Sequence, residues 1–133
     1  MARLTLALHD DAVADLTSVR QTDPRAAARI LAILEQVKAD PALLEALTDH
    51  GFGKDGSRPF DVQKWVEVWN QQRDLWRLKI WDLERRGIQY RIIYAYRWRE
   101  LRYYVLAIVE RRNFDYDPSS AIGRRILAAY EQL

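Results

Sequence analysis

The chain contains no cysteine, two histidines and one methionine among its 133 residues. Disulfides and thiolate metal sites are thereby excluded, and His9 and His50, isolated in the N-terminal half, give metal catalysis little to work with. Each is expected to be a surface or capping residue. No stretch approaches transmembrane length. The apolar run from Met1 to Leu8 is too short for a signal peptide and meets Asp10 and Asp11 at once. Nucleophile elbow, P-loop, dinucleotide fingerprint and zinc spacing are all missing. The expectation is a cytoplasmic, soluble, single-domain protein with no metal, cofactor or membrane partner. Any chemistry must come from lysine, arginine and tyrosine.

What is present is positive charge, concentrated in one region. The formal net charge of +2 conceals an asymmetry. Residues 1–50 hold five basic against eight acidic side chains, whereas residues 73–112 hold eleven against five. A local field of that kind attracts phosphates. The same region contains three segments of alternating apolar residues, Leu75–Trp81, Tyr90–Arg97 and Arg102–Val109, predicted as an antiparallel meander. Period two puts Arg77 and Lys79 on one face, and likewise Arg91 and Arg97. A bend centred on Glu84 to Arg86 sets Lys79 opposite Arg91 and Arg77 opposite Ile93, with Cβ atoms about 5 Å apart. Opposed cations repel unless an anion lies between them. Ala95 and Ala107, small and on that face, leave room for one. The plainer alternative is a row of solvated side chains on an exposed sheet.

The remaining segments predict a small α+β fold. Ala2 to Leu8 reads as a short strand with Leu4, Leu6 and Leu8 inward. His9-Asp10-Asp11 caps a helix from Ala12 to Arg20. Asp23-Pro24 starts a second helix that stops near Ala39, and Asp40-Pro41 starts a brief third through Leu47. Gly51 to Pro59 is a loop carrying Lys54 and Arg58. Asp61 to Trp69 fits both periods and is assigned a short helix on Val62, Trp65 and Trp69. Ser119 or Ser120 caps a final helix holding Ile122, Ile126, Leu127 and Tyr130. Trp76, Tyr94, Tyr96, Trp98 and Tyr104 fall mostly on the face opposite the arginines, as core. Tyr116, in the linker Phe114-Asp115-Tyr116-Asp117-Pro118, fits stacking on an unpaired base or packing under the last helix equally well.

Such a residue set suits one reaction in particular. RNA can be cut by its own 2′-hydroxyl, so the protein supplies position, one proton acceptor and charge stabilisation rather than a nucleophile. A lysine among other cations gives up its proton more readily, and arginine binds phosphate oxygens through its fork. The runs Trp76-Arg77-Leu78-Lys79-Ile80 and Tyr90-Arg91-Ile92-Ile93-Tyr94 flank Gly87. Val105 to Val109 then leads to Arg111-Arg112, Tyr116 and the helix of Arg125-Ile126-Leu127. Together they resemble the RelE/ParE toxin superfamily, and its RelE-like mRNA interferases in particular. The resemblance covers residues 73–133; the N-terminal elements agree in order only.

The resemblance implies a toxin of a type II toxin–antitoxin system, an endoribonuclease that cuts mRNA on the ribosome without metal and is silenced by a cognate antitoxin. It implies that Lys79 is the general base and that Arg77, beside it, belongs to the basic strand pair. Arg91 then binds the scissile phosphate, Arg111 or Arg112 assists the leaving oxygen, and Tyr116 stacks on or orients the base. Arg77, Arg97 and Lys54 are expected to contact substrate. An antitoxin segment is expected over the cationic cleft or against Trp65 and Trp69. Two features depart from the family: Asp115 and Asp117 flank Tyr116, and the connection from Gly51 to Arg73 is long. The alternatives are a ParE-like, non-catalytic DNA gyrase inhibitor and a non-catalytic RNA- or partner-binding domain.

Overall fold

A computed structural model describes residues 3–133, so the predicted strand's first residue, Ala2, lies outside the described residues. The elements run β1 (Thr5–Leu8), α1 (Asp10–Thr22), α2 (Pro24–Ala39), α3 (Pro41–Ala46), β2 (Phe60–Lys64), α4 (Val66–Trp69), β3 (Leu75–Ile80), α5 (Trp81–Glu84), β4 (Tyr90–Arg97), β5 (Arg102–Glu110) and α6 (Ala121–Glu131). A 3-10 turn at Arg111–Asn113 follows β5. The fold is α+β, as the alternation of patterns predicts.

The helix starts follow the predicted chemistry. His9 accepts a hydrogen bond from the Asp11 amide at Nδ1, and the Asp23 carboxylate accepts from Ala26 ahead of Pro24. Asp40 does the same for Ala42, and Ser120 caps α6 through the Gly123 amide. Each such cap contributes on the order of 1 kcal/mol. Gly123 is required for a second reason. A Cβ there would lie 2.3 Å from the Asp117 carbonyl oxygen, so only glycine lets α6 start this close to the loop that carries Tyr116.

Five strands form one sheet in the order β1-β5-β4-β3-β2, with β1 parallel to β5 and the others antiparallel. The hairpin register is the predicted one at Arg77, which pairs with Ile93. Leu106 is an extra residue in β5, and the bulge it makes resets the pairing between Ile93 and Tyr94. One face packs α1 and α2 over Val62, Leu78, Ile92, Tyr94 and Val105. Tyr94 donates to the Leu47 carbonyl at 2.6 Å, and full burial pushes its pKa well above the ordinary value. The opposite face is covered in its middle by Trp65, Phe114, Ile126 and Ala129.

Three expectations need correction here. Asp61 to Trp69 is not one short helix. Its first half is the edge strand β2, because pairing with β3 buries Phe60 and Val62 completely, and only Val66–Trp69 is helical. The basic face is not open along its length either: Ala95 and Ala107 are fully buried in the second core, so the room they leave is filled by the chain itself. Finally, Trp98 is 65% exposed rather than part of the core, and Tyr104 packs with the second core, on the arginines' face.

Candidate active site

Cations and carboxylates meet where β2 and β4 begin and β3 ends. Asp61 stands opposite Lys79 across the β2–β3 ladder and is buried. Its Oδ2 accepts from Arg77 Nη1 at 3.1 Å and lies 3.8 Å from Lys79 Nζ. The Lys79 ammonium also sits 4.8 Å from the Trp81 ring centroid. The β3–β4 ladder stops at Leu78 and Ile92, one pair short of the predicted Lys79–Arg91 opposition. Lys79 instead faces a carboxylate, which offsets the cationic crowding expected around it.

Arg91 is handled the same way from the other side. The short helix α5 brings Glu84 onto its guanidinium, which also donates to the Tyr90 carbonyl at 3.1 Å. Both side chains are about nine-tenths buried, at 9% and 12% exposure. Burying two charges is tolerated because they are paired, and removing either partner costs roughly 3–5 kcal/mol.

Tyr116 completes the cluster. The 3-10 turn after β5 directs Arg111 back, so that its guanidinium donates to the Phe114 carbonyl and lies 5.5 Å from the Tyr116 ring centroid. Tyr116 adopts φ +67°, a conformation uncommon outside glycine. Its carbonyl accepts from Trp65 Nε1 at 3.0 Å, and its ring packs against Phe114 and edge-on to Trp65. The hydroxyl is buried and makes no hydrogen bond of normal geometry. Burial raises its pKa, while the positive charges of Arg77, Arg91 and Arg111 and a poorly aligned side-chain contact with Arg91 oppose that rise. Asp61 Oδ1 is the other buried side-chain polar atom without a partner among the described residues. Both orphans belong to this one cluster.

Arg77, Lys79, Arg91, Arg111 and Tyr116 are therefore brought together, whereas Arg112, Arg97 and Lys54 are not. Arg112 is 79% exposed, pairs with Glu110, and lines a recess beside Thr22, Asp23 and Tyr90. Between the two arginines after the last strand, Arg111 is the one at the site. Arg97 lies six residues along β4 from Arg91, roughly 20 Å away, and pairs with Glu100 at 3.5 Å. Lys54 lines a shallow hollow of its own loop with Asp55 and Arg58. Of the two acids flanking Tyr116, Asp117 is turned to the loop, where two hydrogen bonds from Ser119 hold its carboxyl below the usual range. Trp65 is fully buried and offers no surface for an antitoxin segment. His50 accepts from the Lys64 amide at Nδ1, a structural contact.

Asp61 and Glu84 were missed as site residues. The signal for Asp61 was its alternation with Gln63 and Trp65, masked by the helical spacing of Val62, Trp65 and Trp69. Glu84 lay in what reads as a turn. Among the described residues, no group of three His, Asp or Glu side chains could hold a metal ion, and no helix is long and apolar enough to cross a membrane. No family model matches the chain, and neither curated proteins nor solved structures provide a match.

Proposed function

We propose that this chain is the toxin of a type II toxin–antitoxin pair, a metal-independent endoribonuclease that cleaves mRNA on the ribosome by 2′-hydroxyl attack. The observation that carries the reading is the buried Tyr116 hydroxyl, which faces Arg91 without a hydrogen bond of normal geometry and has the charges of Arg77 and Arg111 near it. An orphaned hydroxyl costs about 1–3 kcal/mol, and such costs collect at functional sites. Three guanidinium groups around it form a setting for the extra negative charge of a pentacoordinate phosphate. Lys79, at the rim and 22% exposed, accepts the 2′-hydroxyl proton as its neutral amine, its own proton having first passed to solvent; Arg91 grips the phosphate once that phosphate shares or displaces Glu84. Asp61 holds Arg77 and Lys79 in register. The cognate antitoxin silences the toxin by covering this cationic end.

A second reading has its own observation. Asp61 and Glu84 already neutralise Arg77, Lys79 and Arg91, as expected of a structural ion-pair network in a non-catalytic domain, the ParE-like gyrase inhibitor included.

Controlled expression followed by mapping of mRNA 5′ ends, with and without translation, separates the readings. Growth arrest with new cuts inside codons is expected, and Lys79→Ala, Arg111→Gln or Tyr116→Phe should each remove the cuts. Tyr116→Phe is the sharpest probe. Deleting a buried hydroxyl that lacks a well-formed hydrogen bond should change stability by no more than about 1 kcal/mol, while activity falls. Arrest with intact mRNA and a DNA-damage response supports gyrase inhibition instead. Absence of arrest, with RNA still bound, supports the binding domain.

A further inference from the structure

At the far end of β4 from the cluster lies a groove of about 500 Å³ between the α4–β3 connection and the β4–β5 turn. Its walls are aromatic and basic: Trp69, Tyr96 and Trp98 alternate with Arg73, Arg97 and Arg99. Trp98 is 65% exposed, far more than is usual for a tryptophan. The Arg99 guanidinium stacks 5.1 Å from its ring centroid. Arg73 is held by Glu131 and Arg97 more loosely by Glu100, whereas Arg99 has no carboxylate partner among the described residues. Asp74, the one acid in the lining, receives the Trp76 indole hydrogen bond at 2.6 Å.

Both lips are built rather than floppy. Gln72 on one and Leu101 beside the other take φ +63° and +52°. Positive φ at non-glycine residues costs on the order of 1–3 kcal/mol and persists only where surroundings impose it. The Leu101 carbonyl accepts from the Thr5 amide at 3.0 Å, which ties the Trp98–Arg99 turn to β1.

We propose that this groove binds single-stranded RNA, with a base stacked on Trp98 and phosphates met by Arg97 and Arg99. Every base offers a π face, so the contact tolerates any sequence, and the arginines supply the backbone charge that stacking alone lacks. A stacked strand advances roughly 3.4 Å per nucleotide, so the roughly 20 Å from Arg91 to Arg97 corresponds to about six nucleotides. The groove then holds substrate at a distance from the cutting site, a role that deepens the nuclease reading and rests on it.

The test uses a fluorescein-labelled 2′-O-methyl hexaribonucleotide, which cannot be cut by 2′-hydroxyl attack, so binding is read apart from cleavage. Trp98→Ala should weaken binding by roughly tenfold, the loss expected for one base stack. Arg97→Gln and Arg99→Gln should each flatten the slope of log K against log salt by about 0.7, the value for one phosphate contact on a single strand. If the oligonucleotide binds through Trp98 and Arg99 but the unmodified protein does not cut mRNA in the expression assay, the nuclease reading fails while the groove stands. Unchanged affinity and salt slope in Trp98→Ala and Arg99→Gln, with folding verified by circular dichroism, overturns the proposal. So does preferential capture of an acidic peptide such as oligoglutamate, which would make the groove a protein-binding site.

Discussion

Arg91 and Arg97 stand on the same strand, on the same face, six residues apart, and their circumstances have little in common. At Arg91 the guanidinium is buried, paired with Glu84 and directed by the turn that carries α5. At Arg97 the side chain is 38% exposed, loosely paired, and set beside a solvent-facing tryptophan. The first end of the sheet holds its cations with internal counterions. The second presents them. Equal spacing of charge along a strand therefore says nothing about whether a charge is available, because availability depends on which carboxylates the tertiary fold brings alongside.

The contrast can be broken first at its buried end. Arg91→Ala leaves Glu84 charged and shielded from water, and chemical denaturation should show a loss of roughly 3–5 kcal/mol. Glu84→Leu combined with Arg91→Met should recover most of it; no recovery would mean that the pair is not the stabilising unit. Asp61→Asn should cost less, about 1–3 kcal/mol, since the asparagine amide oxygen can still accept the hydrogen bond from Arg77. The same variant should bind inorganic phosphate more tightly, measurable by titration calorimetry, because it frees two cations.

Alkaline titration sharpens the comparison from the sheet's interior. Burial raises the pKa of Tyr90 and Tyr116, lifts Tyr94 well above its ordinary value, and brings Tyr103 up to about 12. The folded chain then keeps protons that the unfolded chain loses above about pH 10. Stability should be unaffected by these groups below that value and fall as pH rises through it. A flat profile between pH 10 and 12 in denaturant titrations would contradict the buried placement. The smallest effects belong to the open end. Trp98→Ala and Arg97→Gln should change stability by no more than about 0.5 kcal/mol, as surface substitutions do. A larger loss on denaturation would show that the groove is part of the core rather than a surface.

The helix starts, the meander and the Arg77–Ile93 register were legible in the residues because capping, proline placement and strand alternation act within a few positions. Adjacent strands and a short exit turn bring Arg77, Lys79, Arg91, Arg111 and Tyr116 to one end of the sheet, although the expected pairing of Lys79 with Arg91 does not form. What stayed hidden came from farther along the chain. Asp61 reached the cluster through an edge strand whose residues also fit a helix, and only pairing with β3 chose between the two. The C-terminal helix filled the space above Ala95 and Ala107, which local spacing left open.

Composition and periodicity thus determined which side chains would share a face, and that positive charge would collect on the meander. Which of those charges are neutralised from within and which face solvent was decided by tertiary packing. A salt bridge between residues 16 apart, such as Arg77 with Asp61, forms through strand order and loop path, and neither follows from local spacing.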